Sequence, residues 1–231
     1  MKFLLALFSL ILMVGSVGAQ SEFQGFYGQL ATGYEKNSIA STGLTMNNNS
    51  IFPGGNNPSK WGKPLIFGVG YNFEINNRFL LGIGADYSLF KTDVGIANIN
   101  PPVQLRTGTS YKVSNRFNFF LSPGYILDKD KLAYVKAGYT NQRIKASYWD
   151  GTNAPICNGD SMGSGNAEGF LTGVGYRQII SKGFYGLAEA NYYRYRKTSM
   201  GTSTLCDTTL ITDFSPSASG RNFLVGIGYK F

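Results

Sequence analysis

The sequence predicts an all-β fold, a transmembrane antiparallel up-and-down β-barrel of eight strands. Three observations carry that reading. Segments of period-two alternation recur along the chain, setting large apolar side chains against small or polar ones. The connections between them alternate strictly between long and short. That is the pattern of an even number of antiparallel strands with long loops at one rim and brief turns at the other. Finally, the apolar set is opposed by Gly, Asn, Asp and Lys, so the apolar face is the outer one. A soluble lipocalin-like barrel would reverse the two faces.

The amino terminus has the form of a secretion signal. Lys2 supplies a positive start, Phe3 to Val14 an apolar stretch, and Val17-Gly18-Ala19 a small-residue cleavage site before Gln20. Residues 1–19 are therefore expected to be a signal peptide and 20–231 the barrel domain. The apolar run is too short to span a bilayer, which takes about 20 residues as a helix, and no other stretch is long and apolar enough. A mature chain that meets lipid must then do so as a closed barrel, where every backbone hydrogen bond is satisfied.

The first strand is expected from about Gly25 to Glu35, with Phe26, Leu30 and Tyr34 on one face and Tyr27, Gln29 and Glu35 on the other. Lys36 to Lys60 is polar and aperiodic, a long loop. The second strand, about Pro64 to Ile75, points Leu65, Phe67, Val69, Tyr71 and Phe73 outward and Gly68, Gly70, Asn72 and Glu74 inward. Asn76-Asn77 reads as a tight turn suited to positive φ. The third strand, about Arg78 to Phe90, sets Leu81, Ile83, Ala85, Tyr87 and Leu89 against Gly82, Gly84, Asp86 and Ser88. After a second loop, the fourth strand, about Ser110 to Ile126, is expected to place Tyr111, Val113, Phe117, Phe119 and Leu121 outward and Lys112, Arg116 and Asn118 inward.

A charged turn at Asp128–Lys131 leads into the fifth strand, about Leu132 to Gln142, with Lys136 and Thr140 inward. Arg143 to Glu168 reads as a third long loop. The sixth strand, Gly169–Gln178, turns at Ser181-Lys182-Gly183 into the seventh, Phe184 to about Arg196, where Glu189 and Asn191 are placed inward. Lys197 to Gly220 is the fourth long loop. The eighth strand, Arg221 to Phe231, has the cleanest alternation: Phe223, Val225, Ile227, Tyr229 and Phe231 against Asn222, Leu224, Gly226, Gly228 and Lys230. Aromatics near the strand ends suggest two interfacial girdles, with Tyr71, Phe73, Phe79 and Tyr229 below and Tyr34, Trp61, Tyr87 and Tyr111 above.

The terminal Phe231, with Tyr229 two before it, resembles the closing strand of bacterial outer-membrane β-barrels. The likeness extends to GFYGQLATGY at Gly25–Tyr34, GVGYNF at Gly68–Phe73, GVGYR at Gly173–Arg177 and GIGYKF at Gly226–Phe231. The chain looks like the small porin-like surface barrels of Gram-negative bacteria. That resemblance implies the cell outer membrane as its location, lipid and lipopolysaccharide as its surroundings, and the barrel-assembly machinery as a partner that reads Tyr229 and Phe231. It names the architecture better than the role, since one fold hosts several functions.

Composition narrows the role. The repeated Gly-x-Gly-Tyr lacks the third glycine and following helix of a dinucleotide loop, and reads instead as inward glycines making room in a narrow lumen. Without Lys2, twenty basic residues face thirteen acidic ones. On an exported chain that balance suits lipopolysaccharide phosphates, not nucleic acid. The chain contains no His. Outer-membrane enzymes resemble one another in using an active-site His, a side chain that titrates near neutrality, so none of their sites carries over. The expectation is no enzyme, no cofactor and no metal.

Asp86, Arg116, Lys136 and Glu189 fall near mid-height on inward positions, two acids and two bases that suggest a shared ion-pair network in the lumen. Tyr27, Ile66, Leu80, Phe120 and Leu187 are bulky inward neighbours. Cys157 and Cys206 fall in the third and fourth long loops. Oxidation on export favours a bridge between them, with two unpaired loop cysteines as the alternative. The functional expectation is a barrel that displays surface loops for envelope integrity or for adhesion to a host or matrix ligand. The alternative is a small channel for ions or solutes.

Overall fold

Eight strands close into one antiparallel ring in the computed structural model. It describes residues 21–40, 44–46, 50–52, 55–98, 107–150, 159–205, 209–212 and 214–231. The strands are β1 (Gly25–Ala40), β2 (Leu65–Asn76), β3 (Phe79–Ser88), β4 (Thr107–Asp128), β5 (Lys131–Asp150), β6 (Ser161–Ser181), β7 (Phe184–Tyr195) and β8 (Ser217–Lys230). Each pairs with the next, and β8 pairs back onto β1 from Tyr27↔Lys230 to Ala40↔Ser217. The register from Tyr27 runs through Gly70, Gly84, Phe120, Gly138, Leu171, Tyr193 and Gly220, and returns to β1 at Asn37. That stagger of ten residues sets the strand tilt, typically about 40° from the axis, and keeps an eight-stranded lumen just wide enough to fill with side chains.

The outer face follows the alternation. Phe67, Val69, Phe119, Leu121, Val135, Val174, Phe223, Val225 and Ile227 are all 45 % exposed or more, a continuous apolar band fit for lipid. Below it aromatic rings meet edge to face, as in Phe26–Tyr71, Phe79–Tyr125, Phe184–Tyr229 and Tyr229–Phe231. Tyr34, Trp61 and Tyr87 stand outward above it.

The short turns differ from expectation. Asn76 does not adopt positive φ. Its side-chain oxygen accepts the N–H groups of Arg78 and Phe79, both at 3.0 Å, so a side chain supplies the turn. The primed hairpin lies instead at Lys182 and Gly183, with φ of 41° and 86°.

A bulge corrects the fourth strand. Ser114 pairs with Arg143 but Phe117 with Asn141, so β4 carries one extra residue there, and Asn115 sits at φ 53°. One added residue inverts the faces beyond it. Tyr111 and Val113, expected outward, are therefore buried inside at 0 % and 4 % exposure, while Lys112, expected inward, is exposed. Tyr111 is thus no member of the upper girdle.

The strands also extend further above the band than expected. β5 continues to Asp150, β6 begins at Ser161, and β1 reaches Ala40. No lipid faces these extensions, so their outer positions are polar, as at Lys112, Arg143 and Lys145, and their inner positions apolar. Shorter strands lie among the connections: Leu44–Met46, Ser50–Phe52, Ser59–Gly62, Thr92–Asn98, Ser203–Leu205 and Thr209–Thr212. Four of them, drawn from the first and fourth long connections, form a separate small sheet. Inside this upper storey Ile39, Val94, Tyr111, Val113, Ile144, Met162, Met200, Ile211 and Phe214 join one buried apolar cluster. Cys157, Cys206 and residues 1–19, where the signal peptide is expected, lie outside the described residues.

Candidate functional site

Beneath that apolar cap the lumen is filled by charge. Among the described residues, Glu35, Asp86, Arg116, Lys136, Arg177 and Glu189 are buried, each at 2–6 % exposure. They come from β1, β3, β4, β5, β6 and β7. Strand parity turns each one away from lipid, where a base at mid-depth costs about 2–4 kcal/mol.

The middle layer is centred on Lys136. Its Nζ stands 3.3 Å from Asp86 Oδ2 and 3.0 Å from Glu189 Oε2, and 4.0 Å from the centroid of the Phe120 ring. Asn118 donates to Asp86, and the Tyr134 hydroxyl to Glu189. One ammonium thus serves two carboxylates, and neutral donors supply the rest.

Arg116 does not join those acids directly, as the sequence suggested. The bulge delivers it to Glu35, with which it forms a buried ion pair, and its guanidinium carbon stands 4.5 Å from the Tyr193 ring centroid. Asn37 donates to Glu35 at 2.8 Å. Two amides link this layer to the one below. Asn222 donates to Glu35 at 3.3 Å, Asn191 donates to Asn222 at 3.0 Å, and Asn191 also donates to Glu189 at 3.2 Å.

Arg177 forms a lower layer that sequence reasoning missed. Its guanidinium carbon is 4.1 Å from the Tyr27 ring centroid, 4.8 Å from Tyr134 and 5.2 Å from Tyr185, and it donates to Gln29 Oε1 at 3.0 Å. The signal was present, because Arg177 shares the parity of Gly173 and Gly175 in GVGYR. With Glu35 and Arg177 counted, the lumen holds three buried acids and three buried bases among the described residues. No group of three His, Cys, Asp or Glu that could hold a metal occurs among the described residues.

The Gly-x-Gly-Tyr repeats build this lower layer. Tyr27 pairs across strands with Gly70, Tyr134 with Gly175, and Tyr185 with Gly228. Each partner is the second glycine of a repeat. A Cβ there would lie 2.4 Å from the Tyr27 hydroxyl at Gly70, 2.3 Å from Tyr134 Cζ at Gly175 and 2.2 Å from Tyr185 Cζ at Gly228. Only a hydrogen leaves room for the ring, so each glycine seats one tyrosine of the cage.

Below the cage Phe23, Leu80 and Leu132, packed with Tyr134, form an apolar floor. The Asn72 amide holds Phe23 by its carbonyl at 2.9 Å. From floor to cap the described interior is packed: three charged layers lie between an apolar floor and an apolar cap.

No protein-family model matches the sequence, and no curated protein matches it. Solved structures of similar fold do exist. The outer-membrane protease OmpT of Escherichia coli is 7 % identical, with a TM-score of 0.53 over 94 % of this chain and 100 % of its own. The outer-membrane protein OprG of Pseudomonas aeruginosa is 10 % identical, with a TM-score of 0.50 over 90 % and 96 %. The attachment invasion locus protein Ail of Yersinia pestis is 14 % identical, with a TM-score of 0.45 over 90 % and 100 %. At such identities the likeness is one of fold. The fold is that of the small outer-membrane β-barrels of Gram-negative bacteria, and the apolar band marks the part that lies in the membrane.

Proposed function

We propose that the chain is a sealed outer-membrane barrel without enzymatic activity, whose work is done by its outer surface. That work is envelope integrity or adhesion through the extensions above the membrane. The observation that carries the reading is the lumen: among the described residues, five ion-paired charges and the ring-caged Arg177 stand under an apolar cap and over an apolar floor. Moving any one of the five ion-paired charges aside weakens or strands its partner in a low-dielectric interior, at a cost of several kcal/mol. The likeness to a protease does not weigh against this, since fold alone assigns no activity and the chain has no His. Purified protein in a planar bilayer is expected to give no steady conductance, and to bind host cells or matrix in a surface assay. Steady large conductance without binding would reverse the reading.

A gated channel is the second reading. It is favoured by the unbroken polar contacts from Lys136 through Glu189, Asn191 and Asn222 to Glu35 and Arg116, a path along which pairs could exchange. Brief voltage-driven openings that vanish on neutralising Lys136 would support it.

A further inference from the structure

We infer that the outer wall of β7 and β8 is a seat for one phosphorylated, acylated lipid of the outer leaflet. On the outer face Lys36 of β1 is directly opposite Arg221 of β8, which is directly opposite Tyr192 of β7. Arg194 follows two residues above Tyr192. Among the described residues none of these three bases has a carboxylate at ion-pair distance. Like charges directly opposed across strands destabilise a sheet, and an anion between them removes that repulsion. Lys36, Tyr192 and Arg221 line a hollow of about 230 Å³ with Ser38 and Ser219, which adds hydroxyl donors to the cationic ones.

The height fits a headgroup. Arg221 lies eight residues above Tyr229 of the lower aromatic girdle, about 27 Å along the strand and less once tilted, close to the height of an apolar band. Arg221 also leans toward Trp61, 5.7 Å from the ring centroid, as interfacial side chains do.

Directly below, the same strands form an apolar groove. Tyr192↔Arg221 is followed downward by Ala190↔Phe223 and Ala188↔Val225. Ala188 and Ala190 make the floor, with Val174 and Tyr176 on one side and Phe223 and Val225 on the other, bordering an open groove of about 620 Å³. Bases above an apolar groove, in one register, match a lipid with an anionic head and acyl chains. A second copy of the chain would leave the opposed bases facing identical bases across a two-fold contact.

The site is independent of whether the lumen conducts. The test is native mass spectrometry of detergent-solubilised barrel with three probes: bisphosphorylated lipid A, its dephosphorylated form, and phosphatidylethanolamine. The bisphosphorylated lipid is expected to be retained one per barrel, and inorganic phosphate to displace it poorly. The pair Arg194→Glu and Arg221→Glu is expected to lower retention about tenfold or more, and Ala190→Trp to lower it by filling the groove. Heat-modifiable gel mobility checks that each variant is folded; if the charge reversals do not fold, Lys36→Gln with Arg221→Gln takes their place. Equal retention of the dephosphorylated lipid, unchanged retention in the charge variants, or a change of oligomeric state without loss of lipid in Ala190→Trp would each overturn the proposal.

Discussion

The guanidinium carbon of Arg177 stands 4.1 Å from the centroid of the Tyr27 ring. Both residues are buried to within 3 %. No carboxylate forms an ion pair with Arg177 among the described residues; three aromatic faces and one amide oxygen hold it. A desolvated cation over an aromatic face is stabilised by about 2 kcal/mol or more, and a planar guanidinium engages several faces at once.

Lysine should therefore fail to replace it. Arg177→Lys keeps the charge but loses the plane and the fork that reaches Gln29. The expected cost is about 2 kcal/mol of barrel stability, read as a lower urea midpoint for unfolding from detergent micelles. An unchanged midpoint would mean that charge alone, not the cage, is what β6 contributes.

The cage also predicts the cost of a methyl group. Gly175→Ala puts a Cβ where the far end of the Tyr134 ring now lies, a ring held in place by its hydroxyl's bond to Glu189. Overpacking of this kind costs about 1–3 kcal/mol. The companion change Tyr134→Phe leaves the ring in place and should not rescue it, whereas Tyr134→Leu should recover part of the loss. Equal stability of Gly175→Ala and the parent would show that the ring has other room.

Much of this was legible from alternation alone. Wherever lipid bathes one face, residues such as Phe223, Val225 and Ile227 must alternate with Leu224 and Gly226, and a two-residue period is hard to mistake. Above the band that constraint is lifted. Ile144, Ala146 and Met162 turn inward while Arg143 and Lys145 face water, so the same strands carry the opposite pattern and resemble loop. The bulge at Asn115 was illegible for another reason: one inserted residue leaves no compositional trace, yet it reverses Tyr111, Lys112 and Val113. Arg116 was placed inward on the right side of that bulge, but its partner Glu35 comes from a strand distant in sequence. Arg177 is countable by parity, but no acid among the described residues pairs with it to mark it.

The bulge makes its own prediction. Asn115 tolerates its left-handed conformation, φ 53°, better than a β-branched residue would. Asn115→Val should cost about 1–2 kcal/mol, and Asn115→Gly should be close to neutral. If valine is accepted without loss, the strand can slip register there, and labelling of Tyr111 by a water-soluble reagent would report it.

The middle ionic layer separates structural from gating roles. Lys136→Ala leaves Asp86 and Glu189 as uncompensated buried carboxylates and should cost about 3–5 kcal/mol. Asp86→Ala leaves Lys136 with Glu189 still 3.0 Å away, so it should cost distinctly less. Neither variant is expected to conduct while folded, because the floor under Phe23 and the cap around Phe214 remain. Unfolding midpoints and bilayer recordings on the same preparations check both halves. Equal midpoints would dismiss the shared-lysine geometry, and strong steady conductance in Asp86→Ala would make the lumen a gate.

The final prediction concerns Phe231. In the folded barrel its N–H donates to the Phe26 carbonyl at 2.9 Å, its ring stands 5.1 Å from Tyr229, and the residue is 76 % exposed. Deleting it removes one backbone hydrogen bond, worth about 1 kcal/mol net, and one exposed ring contact. Stability after refolding in detergent should thus fall only slightly. Assembly in cells should suffer far more, if the terminal aromatic is read by the insertion machinery as the resemblance of the closing strand implies. The measurement is a pair: the urea midpoint of refolded protein, and the fraction of heat-modifiable barrel recovered from outer membranes. A truncation that assembles as well as the parent would remove Phe231 from the assembly signal. One that assembles poorly and is equally unstable in detergent would make the defect structural, with the Phe26 contact holding β1 to β8.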